Sequence, residues 1–276
     1  MARLSLEVEA EVARRAQVAI RAAEIAGDIL RHMREGANRV ERKGEVDFVS
    51  DADRASQDFV LGQLGEAFPT DALVAEEDHF DSPGASGFTW VVDPLDGTTN
   101  YLHGYAPWAV SIGLLFEGAP VFGVVHNVPN QEVYSAIRGL GAHCNGRRLE
   151  VSSVPRLDEA LLASGFPYNR REVLDTLLAR IRRALLVCQG FRRSGAASMD
   201  LCHVATGSLD GYWEQGLGPW DMAAGLVVVQ EAGGVVTDFS GGAVDLFGGR
   251  VVASNGRFHD TLLRVLFDDP TVTSPV

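Results

Sequence analysis

The stretch from residue 88 to residue 100, Phe-Thr-Trp-Val-Val-Asp-Pro-Leu-Asp-Gly-Thr-Thr-Asn, constrains this chain more than any other. Residues 88–92 read as a buried strand. The strand runs straight into Asp93 and Asp96, so two carboxylates leave a buried sheet together and converge on a cleft. A fold that accepts this must cover the sheet and must compensate the charge at the strand's end.

The flanking segments supply the layers. Leu4, Val8, Val12, Ala16, Ala19, Ala23, Ala26, Leu30 and Met33 recur at helical steps, predicting a long amphipathic helix over 4–33. A turn at Lys43-Gly44 and an apolar stretch at 46–49 precede Ser50, read as the N-cap of a helix that ends near Phe68 and Pro69. Leu73-Val74-Ala75 is a short strand ending in Glu76-Glu77-Asp78, and the Gly/Ser/Pro-rich loop at 82–87 is expected to be mobile. Apolar runs at 109–116, 121–126, 132–137 and 143–151, parted by turn signals such as Asn145-Gly146, predict an antiparallel meander. From about residue 158 strands at 160–164, 187–191, 210–214, 234–239 and 251–254 alternate with helices at 170–186, 196–206 and 221–232, a layered α/β pattern. The tail at 271–276 reads as disordered.

Composition narrows the classes. With 276 residues, 46% hydrophobic and 22% charged, the chain suits a globular protein of one or two domains sharing a core. Its formal charge of −13 and the lack of a basic stripe argue against direct nucleic-acid binding. No apolar run nears the roughly 18 residues of a membrane helix, and MARLSLEVEAEVARR lacks a signal-peptide core. Cys144, Cys188 and Cys202 make no CxxC pair, which points to free thiols and a cytoplasmic location. Only Lys43 among the 24 basic residues is a lysine, so it is a candidate for a place that wants a compact ammonium.

Asp93 and Asp96 repel each other unless a cation lies between them. Oxygen-only donors, the Leu95 carbonyl included, suit Mg²⁺. Gly97-Thr98-Thr99 then opens a short helix whose N–H groups favour an anion, and a cation beside an anion pocket points to a phosphate ester. The Thr98 hydroxyl can hold a water in line with phosphorus if its own proton goes to a carboxylate. A covalent phosphoaspartate route needs an acid two residues before Asp96, where Pro94 stands. Far downstream, Pro219-Trp220-Asp221 opens another helix with an acid in its first turn. The seven histidines form no HxH or HxxxH pair, which argues against zinc, and Met199 and Met222 read as packing residues.

Asp93-Pro94-Leu95-Asp96-Gly97-Thr98-Thr99-Asn100-Tyr101 and Trp220-Asp221-Met222-Ala223-Ala224-Gly225 resemble the signatures of the inositol monophosphatases, a family within the lithium-sensitive, Mg²⁺-dependent phosphatases. Asp47-Phe48-Val49-Ser50-Asp51-Ala52-Asp53, Glu76-Glu77, Trp108-Ala109-Val110-Ser111-Ile112-Gly113 and Gly195-Ala196-Ala197-Ser198-Met199-Asp200-Leu201 match in the same order. The likeness spans roughly residues 10 to 265 and is greatest to bacterial members.

The resemblance implies an α+β fold, a five-layer αβαβα sandwich of the inositol monophosphatase and fructose-1,6-bisphosphatase type. Residues 1–150 would form a half with an antiparallel sheet and most metal ligands, and 151–270 a half with Asp221 and the substrate pocket. It implies two to three Mg²⁺ per site: Glu76, Asp93 and the Leu95 carbonyl for the first, Asp93, Asp96 and Asp221 for the second, and Asp53 near a third, weaker one. Glu76 takes the ligand position and Glu77 is expected to be a solvated neighbour. Thr98, with Asp53 or Glu76, would orient the attacking water. Leu95, Asp96, Asp221 and the N–H groups of Gly97 and Thr98 would surround the phosphate, while Glu214 and the backbone of Gly195, Ala196 and Ala197 would meet a polyol. Of Arg192 and Arg193, one would reach the substrate, and Arg192 is the candidate; Lys43 or Arg42 would stand near the metal loop.

The implied reaction is hydrolysis of myo-inositol 1-phosphate or a close polyol phosphate by a homodimer. Alternatives on the same scaffold are histidinol phosphate, fructose 1,6-bisphosphate and 3′-phosphoadenosine 5′-phosphate. An alternative of another class is a regulatory partner of the transcription machinery.

Overall fold

The computed structural model describes residues 4–35, 40–42, 48–77 and 81–267. Lys43 and the tail at 271–276 lie outside these residues, as does the Arg42 side chain.

The chain begins with α1 (Leu6–Glu35), the pair β1 (Val40–Arg42) and β2 (Phe48–Ser50), α2 (Asp51–Ala67), β3 (Ala72–Ala75), β4 (Asp81–Ser82) and β5 (Phe88–Asp96). It continues through α3 (Thr98–His103), β6 (Ala109–Phe116), β7 (Ala119–Asn127), β8 (Glu132–Ile137), β9 (Gly141–Cys144) and β10 (Arg147–Arg148). The remaining elements are β11 (Leu161–Ser164), α4 (Leu174–Leu185), β12 (Gly190–Arg192), α5 (Ala197–Ala205), β13 (Gly211–Gln215), α6 (Pro219–Glu231), β14 (Val235–Thr237), β15 (Arg250–Ser254) and α7 (His259–Phe267).

The larger sheet has the order β10-β9-β8-β7-β6-β5-β3-β4 and is antiparallel except where β3 lies parallel to β5. The smaller one, β12-β11-β13-β15-β14, is parallel around β11 and antiparallel beyond β13.

Alternation along each strand shows how the layers close. Trp90 and Val92 of β5 join α1 and α2 in one cluster, whereas Val91 faces α5 and α6 in another. On β13, Tyr212 joins the α5–α6 cluster and Trp213 the cluster that contains Leu262, Leu266 and Ala184 of α7 and α4. Both faces of both sheets are therefore covered, in the order α1/α2, large sheet, α5/α6, small sheet, α4/α7. This is the expected αβαβα sandwich.

Helix α6 approaches the large sheet very closely. A Cβ on Gly113 would fall 2.6 Å from the Ala223 Cβ, and one on Gly123 would fall 2.3 Å from the Ala224 carbonyl oxygen. Ser111 Oγ donates to the Trp220 carbonyl at 3.2 Å, so the first turn of α6 is tied to β6.

Three local expectations change. The loop at 82–87 is not left loose, because Ala85 and Ser86 donate their N–H groups to the Thr70 carbonyl and Ser86 Oγ donates to Asp71. Glu77 is not solvated: it is 1% exposed, and the Gln57 side-chain amide brackets its backbone N–H and carbonyl at 3.0 Å each. Residues 259–267, for which no helix was expected, form α7.

Candidate active site

Strand β5 loses register with β6 between Asp93 and Asp96, and this irregularity frees the turn from the ladder. Leu95 N–H folds back onto Asp93 Oδ1 at 3.0 Å, and the Pro94 carbonyl accepts from Ser56 Oγ at 2.8 Å. Gly97 follows at φ +89°, where a side chain is strained, and its Cβ would press on the Pro107 carbonyl and Ala196. As N-cap of α3 it contributes no side-chain acceptor to the helix's first N–H groups.

Asp221 arrives from the other side of the cleft. Pro219 opens α6, and the Asp221 carboxylate accepts the Gly218 N–H at 2.6 Å. Asp93, Asp96 and Asp221 each present a carboxylate oxygen, and these oxygens lie within 4.8 Å of one another. Glu76, just after β3, is near enough for its charge to act on both Asp93 and Asp221; its N–H donates to the Val92 carbonyl.

The electrostatics state what the cluster lacks. Burial first, then the charges of Glu76, Asp96 and Asp221, hold the Asp93 carboxyl well above its ordinary range. Burial and the charges of Asp96 and Glu76 do the same to Asp221. Asp96 is raised by burial, with opposing hydrogen bonds from Ser198, Ala197 and Met199. Packed acids that repel one another in a dry site, supplemented by a backbone carbonyl, are a donor set suited to hard divalent cations.

Thr98 and Asp53 meet as expected. Asp53 is fully buried at the start of α2, where it accepts the Ser50 N–H at 2.8 Å and hydroxyl at 2.5 Å. Thr98 Oγ1 lies 3.0 Å from Asp53 Oδ1 and 3.1 Å from the Leu95 carbonyl oxygen. Its single proton goes to one of these acceptors, which leaves its lone pairs able to accept from a water.

A cavity of about 560 Å³ extends from Asp96, Gly97, Thr98 and Asp221 to Glu214 and the segment 165–170. Glu214 is pushed up to about 7, chiefly by burial, and accepts a hydrogen bond from the Tyr212 hydroxyl. Gly165 makes room for it, since a Cβ there would come within about 2 Å of the carboxylate. Gly195, Ala196 and Ala197 line the cavity too, although the Ala197 N–H is already given to Asp96 at 3.1 Å.

The two arginines separate. Arg193 lines the cavity, its guanidinium 5.0 Å from the Phe166 ring centroid, and its charge opposes the rise of Glu214. Arg192 is exposed, does not line the cavity, and donates to the Phe191 carbonyl.

Sequence reasoning did not single out Gly165, Ser198 or Asp200. Asp200 is pushed up to about 8 by burial, receives the Ser194 hydroxyl at 2.5 Å, and has a buried Oδ2 with no hydrogen-bond partner among the described residues. Gly165 and Ser198 act through partners far off in sequence, Glu214 and Asp96; Ser198 and Asp200 lie within the quoted stretch at 195–201, but their small or polar character was the only local signal of a role.

Comparison with known proteins supports the same reading of the scaffold. The sequence matches the inositol monophosphatase family profile over residues 11–268. It is 42% identical over 233 residues to a protein named inositol-1-monophosphatase from Synechocystis, covering 84% of this chain and 81% of that protein. It is also 42% identical over 255 residues to a protein named Nus factor SuhB from Pseudomonas aeruginosa, covering 90% and 94%. The inositol monophosphatase structure from Anabaena superposes with a TM-score of 0.86 at 38% identity, covering 94% of this chain and 98% of that one.

Proposed function

Because the chain belongs to the inositol monophosphatase family, whose members are phosphatases, we propose that it hydrolyses myo-inositol 1-phosphate or a close polyol phosphate to the alcohol and phosphate. The observation that carries this reading is the convergence of Asp93, Asp96 and Asp221 at one end of a cavity whose other wall presents Glu214.

Glu76, Asp93 and the Leu95 carbonyl would hold one Mg²⁺, Asp93, Asp96 and Asp221 a second, and Asp53 would bear on a weaker third. Bound there, Mg²⁺ supplies charge compensation for the phosphoryl oxygens, a more acidic water and support for the leaving alkoxide. Thr98, its proton on Asp53, accepts a hydrogen bond from the attacking water and orients it; Asp53 or Glu76 takes the proton released as the new P–O bond forms. The P–O bond to the polyol breaks, the departing oxygen takes up a proton from solvent, and Asp53 or Glu76 returns the proton it accepted to solvent. The Gly97 and Thr98 N–H groups hold phosphoryl oxygens, while Glu214 and the backbone at 195–196 receive ring hydroxyls. Arg193, on the cavity wall, replaces Arg192 as the guanidinium facing the substrate.

The three cysteines are free thiols, which supports a cytoplasmic location, and no helix among the described residues is long and apolar enough to cross a membrane. A homodimer is part of the proposal and is read from the family resemblance.

The test is phosphate release from inositol 1-phosphate, histidinol phosphate, fructose 1,6-bisphosphate and 3′-phosphoadenosine 5′-phosphate, each with Mg²⁺, with EDTA and with Li⁺. Inositol 1-phosphate should lead in kcat/KM, require Mg²⁺ and be inhibited by Li⁺. Asp96→Asn should abolish turnover without unfolding the protein. Another ester in the lead would overturn the assignment of Glu214, and substantial activity in Asp96→Asn would overturn the metal site. The likeness to a protein named Nus factor favours a second reading, a partner in transcription. Equal recovery of a stoichiometric partner by wild type and Asp221→Asn would support that role.

A further inference from the structure

Helix α5 begins at Ala197 behind an N-cap, Ala196, that offers no side-chain acceptor. The missing cap comes from across the molecule. Asp96, 101 positions earlier in the chain, accepts the Ala197 N–H on Oδ1 at 3.1 Å and the Ser198 N–H on Oδ2 at 2.8 Å. These two bonds give acceptors to the first two N–H groups of the buried helix start.

The Ser198 hydroxyl adds a third bond to the same carboxylate, to Oδ2 at 2.5 Å. Ser198 is fully buried and Asp96 is 6% exposed, so no bulk water competes for the contact. The backbone pair, one donor on each oxygen, sets the torsion about the Cβ–Cγ bond. The side-chain donor on Oδ2 stiffens that torsion and directs the remaining lone pairs toward Asp93 and Asp221.

We propose that Ser198 is a positioning residue for the divalent-cation site: its hydroxyl locks the Asp96 carboxylate in the orientation in which it faces Asp93 and Asp221. The inference rests on the reading of Asp96 as a cation ligand. Ser198 touches neither the cation nor the substrate, and it acts only through Asp96. Of the bonds that hold this carboxylate, the others of which come from the backbone of α5, the hydroxyl is the one that can be deleted with the backbone cap left in place.

The test is isothermal titration calorimetry of Mg²⁺ into substrate-free wild type and Ser198→Ala, with urea unfolding of both cation-free proteins and steady-state kinetics on inositol 1-phosphate. Ser198→Ala should bind Mg²⁺ about 10–100-fold more weakly, the usual cost of losing a partner that orients a ligand. Its urea midpoint should stay close to wild type, and at saturating Mg²⁺ its KM should stay within about twofold. Activity at low Mg²⁺ should fall and recover as Mg²⁺ is raised. Unchanged Mg²⁺ affinity overturns the proposal. So does a raised KM at unchanged Mg²⁺ affinity, which places Ser198 with the substrate, and so does a collapsed urea midpoint, which makes the hydroxyl a support of α5. A wild type that binds no Mg²⁺ refutes instead the ligand reading on which the inference rests.

Discussion

At the scale of single residues, the site depends as much on what is missing as on what is present. Gly165 carries no Cβ because the Glu214 carboxylate occupies that space. Gly165→Ala must displace Glu214 from the cavity wall, and overpacking of this kind costs about 1–3 kcal/mol. The expected result is a KM for inositol 1-phosphate raised about tenfold with kcat little changed, read from steady-state kinetics. The residues with charge or a distinctive motif were legible in the sequence: Asp53 and Thr98 meet, and Asp93, Asp96 and Asp221 converge. The residues whose role depends on a distant neighbour were not. Glu77 reads as one more surface acid until Gln57, 20 positions earlier, is seen to clasp its backbone. Arg192 and Arg193 are equivalent in sequence, and only the path of the chain after β12 shows which one faces the cavity.

At the scale of elements, α6 sets the position of Asp221, and the large sheet sets the position of α6. Gly113 and Gly123 let the helix backbone come within reach of β6 and β7. Gly123→Ala should push α6 away, at a cost of about 1–3 kcal/mol in a urea melt. Because a displacement of 1 Å can cost about 10²-fold in rate, kcat at saturating Mg²⁺ should fall by about that factor. Most elements were legible because each strand is apolar over a short run and each helix carries its own period. The exceptions have physical reasons. Helix α4 begins at Leu174 rather than near 170 because hydrogen-bonded turns, Arg170 N–H to Pro167 and Glu172 N–H to Asn169, take up the start of the segment. Helix α7 did leave a signal, Phe258, Leu262 and Leu266 at four-residue steps, now buried against the small sheet.

At the scale of the whole molecule, the fold buries acids whose hydrogen bonds and neighbouring charge do not offset the cost of burial. Glu214 is raised to about 7 and Asp200 to about 8. Between the ordinary carboxylate range and these values the unfolded chain has released protons that the folded chain retains. The cation-free protein should therefore lose stability as pH rises from about 5 to about 8, by an amount on the order of a few kcal/mol. Scanning calorimetry in EDTA at pH 5.5 and 8 should show the lower Tm at pH 8, with added Mg²⁺ raising Tm more at pH 8 than at pH 5.5. The division of the cavity along the chain has an evolutionary consequence. Asp53, Glu76 and the turn from Asp93 to Thr98 all precede residue 100, whereas the cavity walls proposed for the alcohol, in 165–170, 193–197 and 214–217, all follow residue 160. Asp221 alone carries a hydrolytic group into the later stretch. Drift in the second half can thus retune which alcohol is accepted while the apparatus that cleaves the ester is inherited intact, so a lineage built on this plan can change its diet without relearning its chemistry.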